Sequence, residues 1–175
     1  YTTSNRLIGS AFAEYKFTGS LKFRTSWSTD FSNVLDDQFF SPLTADAEAV
    51  NGKAYKSNFE QLTWLNENIF TFTKSFGKSN INAIAGFTQQ ETTNDFSSIR
   101  AQGFPTGSGL ENISSAAVIT NASGTGTPFG LISYIGRVNY DYEGKYLLAA
   151  TVRADGSSRF PEDNRYGVFP SFSAG

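Results

Sequence analysis

Histidine, cysteine and methionine are all absent from this chain. Their absence removes the common side-chain ligands of zinc, iron–sulfur and haem sites, and with them every histidine general base, so neither a conventional hydrolase triad nor a resident metal or cofactor is expected. A disulfide scaffold is excluded too, although a chain without thiols is compatible with any redox compartment. No run of about 18 apolar residues exists, so no transmembrane helix is expected, and Tyr1 opens neither a signal peptide nor an initiator sequence, which makes the start read as internal. Charge of one sign is scarce: 14 basic and 16 acidic residues are scattered rather than blocked, with no basic stripe for a nucleic-acid backbone. Leu-rich or Ala/Glu/Lys-rich helical runs are missing as well.

What is present favours strands and turns. Seventeen Phe and eight Tyr stand among abundant Gly, Ser, Thr and Asn. Leu21, Phe23, Thr25, Trp27, Thr29 and Phe31 share one parity, and Lys22, Arg24, Ser26, Ser28 and Asp30 the other. This period of two defines a strand with one apolar and one wet face. Before it, Leu7, Gly9, Ala11, Ala13, Tyr15 and Phe17 oppose Ser10, Glu14 and Lys16, with Ile8 and Phe12 breaking the pattern, and Thr18-Gly19-Ser20 reads as a hairpin turn.

Two more hairpins follow. Phe70 and Phe72 lead through Gly77-Lys78 into Ile81, Ala83, Ala85 and Phe87, with Asn66 and Asn68 intruding upstream, where a bulge or a membrane boundary is expected. Ile132, Tyr134, Val138, Tyr140 and Tyr142 turn at Glu143-Gly144-Lys145 into Tyr146, Leu148, Ala150 and Val152. The hairpins fall at about 6–31, 58–96 and 130–158, joined by long connections at about 32–57 and 97–129, with a shorter one at about 158–168. Residues 168–173 start a further strand.

Tight turns at one end and long loops at the other are the plan of outer-membrane barrels, whose short turns are periplasmic and long loops extracellular. Eleven residues at about 3.3 Å each, tilted near 45°, cover roughly 26 Å, enough for the apolar band of such barrels. Aromatics gather where interfacial girdles belong: Tyr15, Phe17, Phe76, Tyr142 and Tyr146 beside the short turns, and Trp27, Phe31, Phe59 and Trp64 toward the long loops. Because an open sheet edge is untenable in lipid, six to seven strands require neighbours from a larger barrel. The fold class is therefore all-β: an antiparallel up-and-down transmembrane β-barrel, present here in part over 1–175.

GRVNYDYEGKYLLAATVRADGSSRF at 136–160, followed by NRYGVFPSFSAG at 164–175, resembles a barrel segment of the SusC/RagA family of TonB-dependent outer-membrane transporters of Bacteroidota. FTFTKSFGKSNINAIAGFTQQE at 70–91 is similar to an upstream hairpin of that family, and residues before about 58 fit only in general style. The resemblance implies a multi-pass barrel of about twenty-two strands in the cell outer membrane. It further implies a plug, a SusD-like surface lipoprotein, energisation by TonB with ExbB and ExbD, and uptake of oligosaccharides or peptides. No plug and no TonB box lies in this sequence.

On the wet parity stand Arg137, Asn139, Asp141, Arg153 and Asp155, candidates for facing the lumen or the plug. A charge ladder bringing Arg137 or Asp141 near Arg153 or Asp155 is the architectural reading, and substrate contact the functional one. Phe104 and Phe129 are candidates for touching substrate or the lipoprotein from extracellular loops, with loop self-packing the plainer alternative. Gly77-Lys78-Ser79 lacks the earlier glycine and following helix of a phosphate loop, and Asp36 with Asp37 has no enforced glycosidase spacing. Asp155, Glu162 and Asp163 lack the pattern of a calcium loop, and Gly156 is read as permitting a kink.

Two other readings compete with an importer. A membrane barrel serving adhesion or scaffolding carries the same pattern. A soluble carbohydrate-binding β-sandwich requires Phe23, Trp27, Tyr134 and Leu148 to face a second sheet.

Overall fold

The computed structural model describes residues 1–107 and 109–175. Eight strands make one sheet: β1 (Thr2–Lys16), β2 (Leu21–Phe40), β3 (Lys53–Phe76), β4 (Ser79–Gln102), β5 (Val118–Gly126), β6 (Phe129–Tyr142), β7 (Tyr146–Ser157) and β8 (Tyr166–Ala174). The order is β1-β2-β3-β4-β6-β7-β8, with β5 also paired to β4. Each step of that order joins strands consecutive in sequence except β4 to β6, so the sheet is an up-and-down antiparallel meander with β5 set beside β4. Residues 79–92 of β4 pair with β6 and residues 95–102 with β5. The break between β5 and β6 falls at Thr127-Pro128, and a proline nitrogen cannot donate to a ladder.

Contacts divide the chain into two units. One comprises Tyr1–Leu7, Asp30–Leu62 and Thr93–Pro128; the other comprises Ile8–Thr29, Thr63–Thr92 and Phe129–Gly175.

The second unit holds the three tight turns. At the first, Thr18 Oγ1 accepts from the amides of Ser20 and Leu21 at 3.1 and 3.0 Å. At the third, the three residues between the paired Tyr142 and Tyr146 make the turn, and Glu143 and Gly144 both take left-handed backbone there (φ 55° and 67°). Glu143 is held there by ion pairing with Lys78.

Register in this unit separates the faces. Ala83 stands opposite Val138, which stands opposite Ala150, which stands opposite Phe172. Val138, Val152, Val168 and Phe172 are 48%, 49%, 62% and 82% exposed, so the apolar face meets no other layer of the described chain. A sandwich needs a covering sheet, whereas all eight strands join one sheet and Trp27, Tyr134 and Leu148 stand open; the sandwich reading is overturned.

On the wet face of the first hairpin, Phe12 lies under the Arg24 guanidinium, 4.1 Å from ring centroid to Cζ. That contact accounts for one of the two breaks in the β1 pattern. β3 runs unbroken through Asn66 and Asn68. Asn68 Nδ2 donates to Asn66 Oδ1 at 2.5 Å, and Asn66 Nδ2 donates to the Ser26 carbonyl at 3.1 Å. Asn68 is thus anchored on Asn66, and Asn66 on the backbone next to Trp27, whose ring stacks on Trp64 with centroids 5.9 Å apart.

Gly156 is not a kink. Its place is opposite Tyr166, whose ring covers it so closely that a Cβ there would stand 2.5 Å from Cε1. Glycine is required by this close approach.

In the first unit, strand continues where the sequence suggested long connections. β2 reaches Phe40 and β3 begins at Lys53, leaving 41–52; β4 reaches Gln102 and β5 begins at Val118, leaving 103–117. Alternation weakens there because polar side chains enter both faces: Asn33 donates to Asn58 at 2.7 Å, and the Ser98 and Ser123 hydroxyls meet at 3.0 Å. Backbone pairing persists without a continuous apolar row to advertise it.

Candidate functional site

The polar face of the second unit carries the chemistry. Asp155 is opposite Ser133, Arg153 opposite Ile135, Arg137 opposite Thr151, Asn139 opposite Ala149 and Asp141 opposite Leu147. Side chains two residues apart share a face, so all five candidates stand on one side of the sheet.

The expected cross-strand charge ladder is not formed. Arg153 Nε donates to both oxygens of Asp155, at 2.7 and 2.9 Å, within its own strand, and Nη2 reaches Ser133 Oγ at 3.3 Å. Arg137 Nε donates to Asn139 Oδ1 at 3.1 Å, also two residues along. Asp141 accepts from Asn80 Nδ2 and from the Gly144 amide, each at 3.2 Å. The register is the cause: the residues facing Arg137 and Asp141 on β7 are Thr151 and Leu147, so Arg137 finds its partner along its own strand and Asp141 finds its partners in the turn and at Asn80 of β4.

Sequence reading missed the amides that extend this row. Asn82 Nδ2 donates to Thr73 Oγ1 at 3.0 Å, and Asn139 Nδ2 approaches Asn82 Oδ1 at 3.5 Å. The alternation of Asn80 and Asn82 opposite the apolar Ile81 and Ala83 was the available signal. Lys22 with Glu14 (3.2 Å) and, in the first unit, Arg6 with Asp30 (2.6 Å) add ion pairs of the same wet parity. Exposed pairs of this kind stabilise by about 0–1 kcal/mol each, and none supplies an acid–base or nucleophilic constellation. Among the described residues, no three carboxylates converge as metal ligands.

Phe104 is not an exposed contact. It is 3% exposed and packs on Ala54 and Ala101, with its ring edge-on to Phe39 at 5.0 Å. An aromatic in a polar loop gains more from local burial than from solvent, and self-packing is what the loop does. Phe129 opens β6, half-buried beneath the Arg159 guanidinium at 4.0 Å. Ser158 secures that approach, donating its amide to the Gly130 carbonyl (2.9 Å) and accepting the Gly130 amide at Oγ (2.8 Å).

A single meander, apolar and exposed on one face and polar on the other, is the wall of a β-barrel rather than a self-contained domain. Comparison with known proteins agrees. No family model matches the chain. It is 32% identical over 161 residues to TonB-dependent receptor P3 of Formosa agariphila, covering 91% of this chain and 16% of that protein. It is 30% identical over 182 residues to TonB-dependent receptor SusC of Bacteroides thetaiotaomicron, covering 98% of this chain and 17% of that protein. Among solved structures, the RagAB peptide transporter superimposes with a TM-score of 0.92 at 19% identity, over 99% of this chain and 20% of that one, a likeness of fold.

The chain is a barrel-wall segment of the SusC-type TonB-dependent receptor family. It spans about a sixth of the length of the curated relatives it matches. Those relatives are receptors rather than enzymes.

Proposed function

We propose that this segment forms wall and outer loops of a TonB-dependent importer in the outer membrane, one that takes up oligosaccharides or peptides with a SusD-like lipoprotein and is energised by TonB with ExbB and ExbD. The apolar row Val138, Val152, Val168 and Phe172 meets lipid. Arg137, Asn139, Asp141, Arg153 and Asp155 face the lumen or the plug, and the tight turns at 17–20, 77–78 and 143–145 lie on the periplasmic side. Phe129, with Arg159 upon it, is the remaining aromatic candidate for an external contact.

The observation that carries this reading is the two-faced sheet itself. An exposed apolar row backed by a hydrogen-bonded polar one suits a boundary between acyl chains and water. Seven strands side by side need neighbours at both edges, which a larger barrel supplies.

Because the segment has no cysteine of its own, single cysteines test the wall directly. In the full-length protein in whole membranes, Arg137→Cys should react with a water-soluble maleimide and Val138→Cys should not. Equal labelling of both would reject the wall. Uptake of labelled oligosaccharides and peptides by cells with and without TonB tests import; uptake indifferent to TonB would instead favour a passive or scaffolding barrel.

A further inference from the structure

The first unit holds a cavity of about 450 Å³ lined by Gln38, Phe40, Lys53, Tyr55, Arg100 and Gln102, with Ala54, Ala101 and Thr120 completing it. Four strands line it, three of them from alternate positions: 38 and 40 on β2, 53 and 55 on β3, 100 and 102 on β4, with Thr120 on β5. Along β3, Lys53 and Tyr55 have the parity of Thr73, which accepts from the polar row. The Lys56 to Asp37 ion pair (2.5 Å) ties β2 to β3 beside the cavity. The Arg100 guanidinium lies 5.3 Å from the Tyr55 ring centroid and does the same for β3 and β4.

Among the described residues, two positive charges of this cavity are paired with no carboxylate. Among the described residues Lys53 makes no ion pair, and Arg100 meets only the Tyr55 ring, which orients the guanidinium while leaving its N–H donors unspent. The nearby acids are engaged elsewhere. Asp37 pairs with Lys56, and Asp36 accepts from Thr2 at 2.9 Å and from Gln38 at 2.7 Å. Phe104, the aromatic of the following loop, is engaged with Ala54, Ala101 and Phe39.

We propose that this cavity is a subsite for an acidic oligosaccharide, with Lys53 and Arg100 binding the carboxylate or sulfate of one sugar unit. It rests on the reading that this parity lines the passage. Arginine offers a planar fork to an oxyanion and lysine a mobile point charge. Phe40 and Tyr55 supply faces for the C–H side of a sugar ring, and the carboxamides of Gln38 and Gln102 suit its hydroxyls.

The test is equilibrium binding to the full-length protein in detergent, which needs no TonB. The probes are a galacturonic acid trisaccharide, a sulfated trisaccharide, neutral galactotriose and triglutamate. An acidic trisaccharide should bind at least about tenfold tighter than the neutral one, with affinity falling as salt rises. The carboxylated and sulfated probes separate the two sources of charge; preference for either supports the subsite. Lys53→Gln with Arg100→Gln should abolish the preference and flatten the salt dependence, while Arg100→Lys retains part of it; unchanged heat-modifiable gel migration shows that the barrel is intact. Equal affinity for galactotriose, no effect of the double variant in an intact barrel, or equal binding of triglutamate overturns the proposal. Uptake separates it from the import reading: TonB-dependent import of neutral sugars alone defeats the subsite and leaves import standing.

Discussion

The Phe12 ring lies flat beneath the Arg24 guanidinium, 4.1 Å from centroid to Cζ, on the wet side of the first hairpin. An aromatic residue on the wrong parity is therefore a partner for a cation rather than a fault in the strand. Arg24→Gln should lower stability by about 0.5–1 kcal/mol, and in Phe12→Ala the same change should cost nothing further. A double-mutant cycle on the unfolding midpoint in detergent measures this; full additivity would mean that the two side chains do not interact.

A charge on the apolar face should be costly in proportion to its depth. Val152, mid-strand on β7 and half-exposed, is the sharpest position. Val152→Arg should lose about 2–4 kcal/mol of barrel stability, or fail to accumulate as a heat-modifiable species. Thr151→Arg, one residue away on the opposite face, should be tolerated. Similar outcomes for both would contradict the two-faced wall.

Asn66 and Asn68 should respond non-additively. Asn66→Leu removes the partner of the Asn68 amide and leaves a polar group unpaired, a loss of about 1–3 kcal/mol. Changing both to leucine removes donor and acceptor together and should recover most of that loss. The comparison is read in the unfolding midpoints of the two variants.

Phe104→Ala should act locally. Its cluster is small, made of Ala54 and Ala101 with Phe39, Ile113 and Ala116 beside them. Faster proteolysis within 103–117 is expected while the melting temperature of the barrel changes little. A large global destabilisation would show that the cluster supports more than its own loop.

Gly156→Ala should displace the Tyr166 ring, since the added methyl would stand 2.5 Å from it. Tyr166→Ala in the same chain should relieve the conflict. Folded yield of the single and double variants decides this, and an unaffected single variant would remove close approach as the reason for the glycine.

Strand identity, facing and the tight turns were legible in the sequence because side-chain alternation and turn chemistry are local: Leu21 to Phe31 announce two faces, and Glu143-Gly144 announces a bend, whatever surrounds them. The lack of histidine and cysteine likewise restricts the chemistry open to the chain, whatever its fold. Beyond the apolar stretches that logic fell silent, since strands with polar side chains on both faces pair their backbones without an alternating signature, and β2, β3 and β4 ran on past their expected ends. Which charges meet was never a local property. Register left Arg153 to pair with Asp155 rather than with Asp141, loop packing took Phe104 out of solvent, and strand pairing brought Lys53 and Arg100 to one cavity. Those outcomes depend on which residue of one strand stands opposite which residue of another, and only the folded sheet decides that.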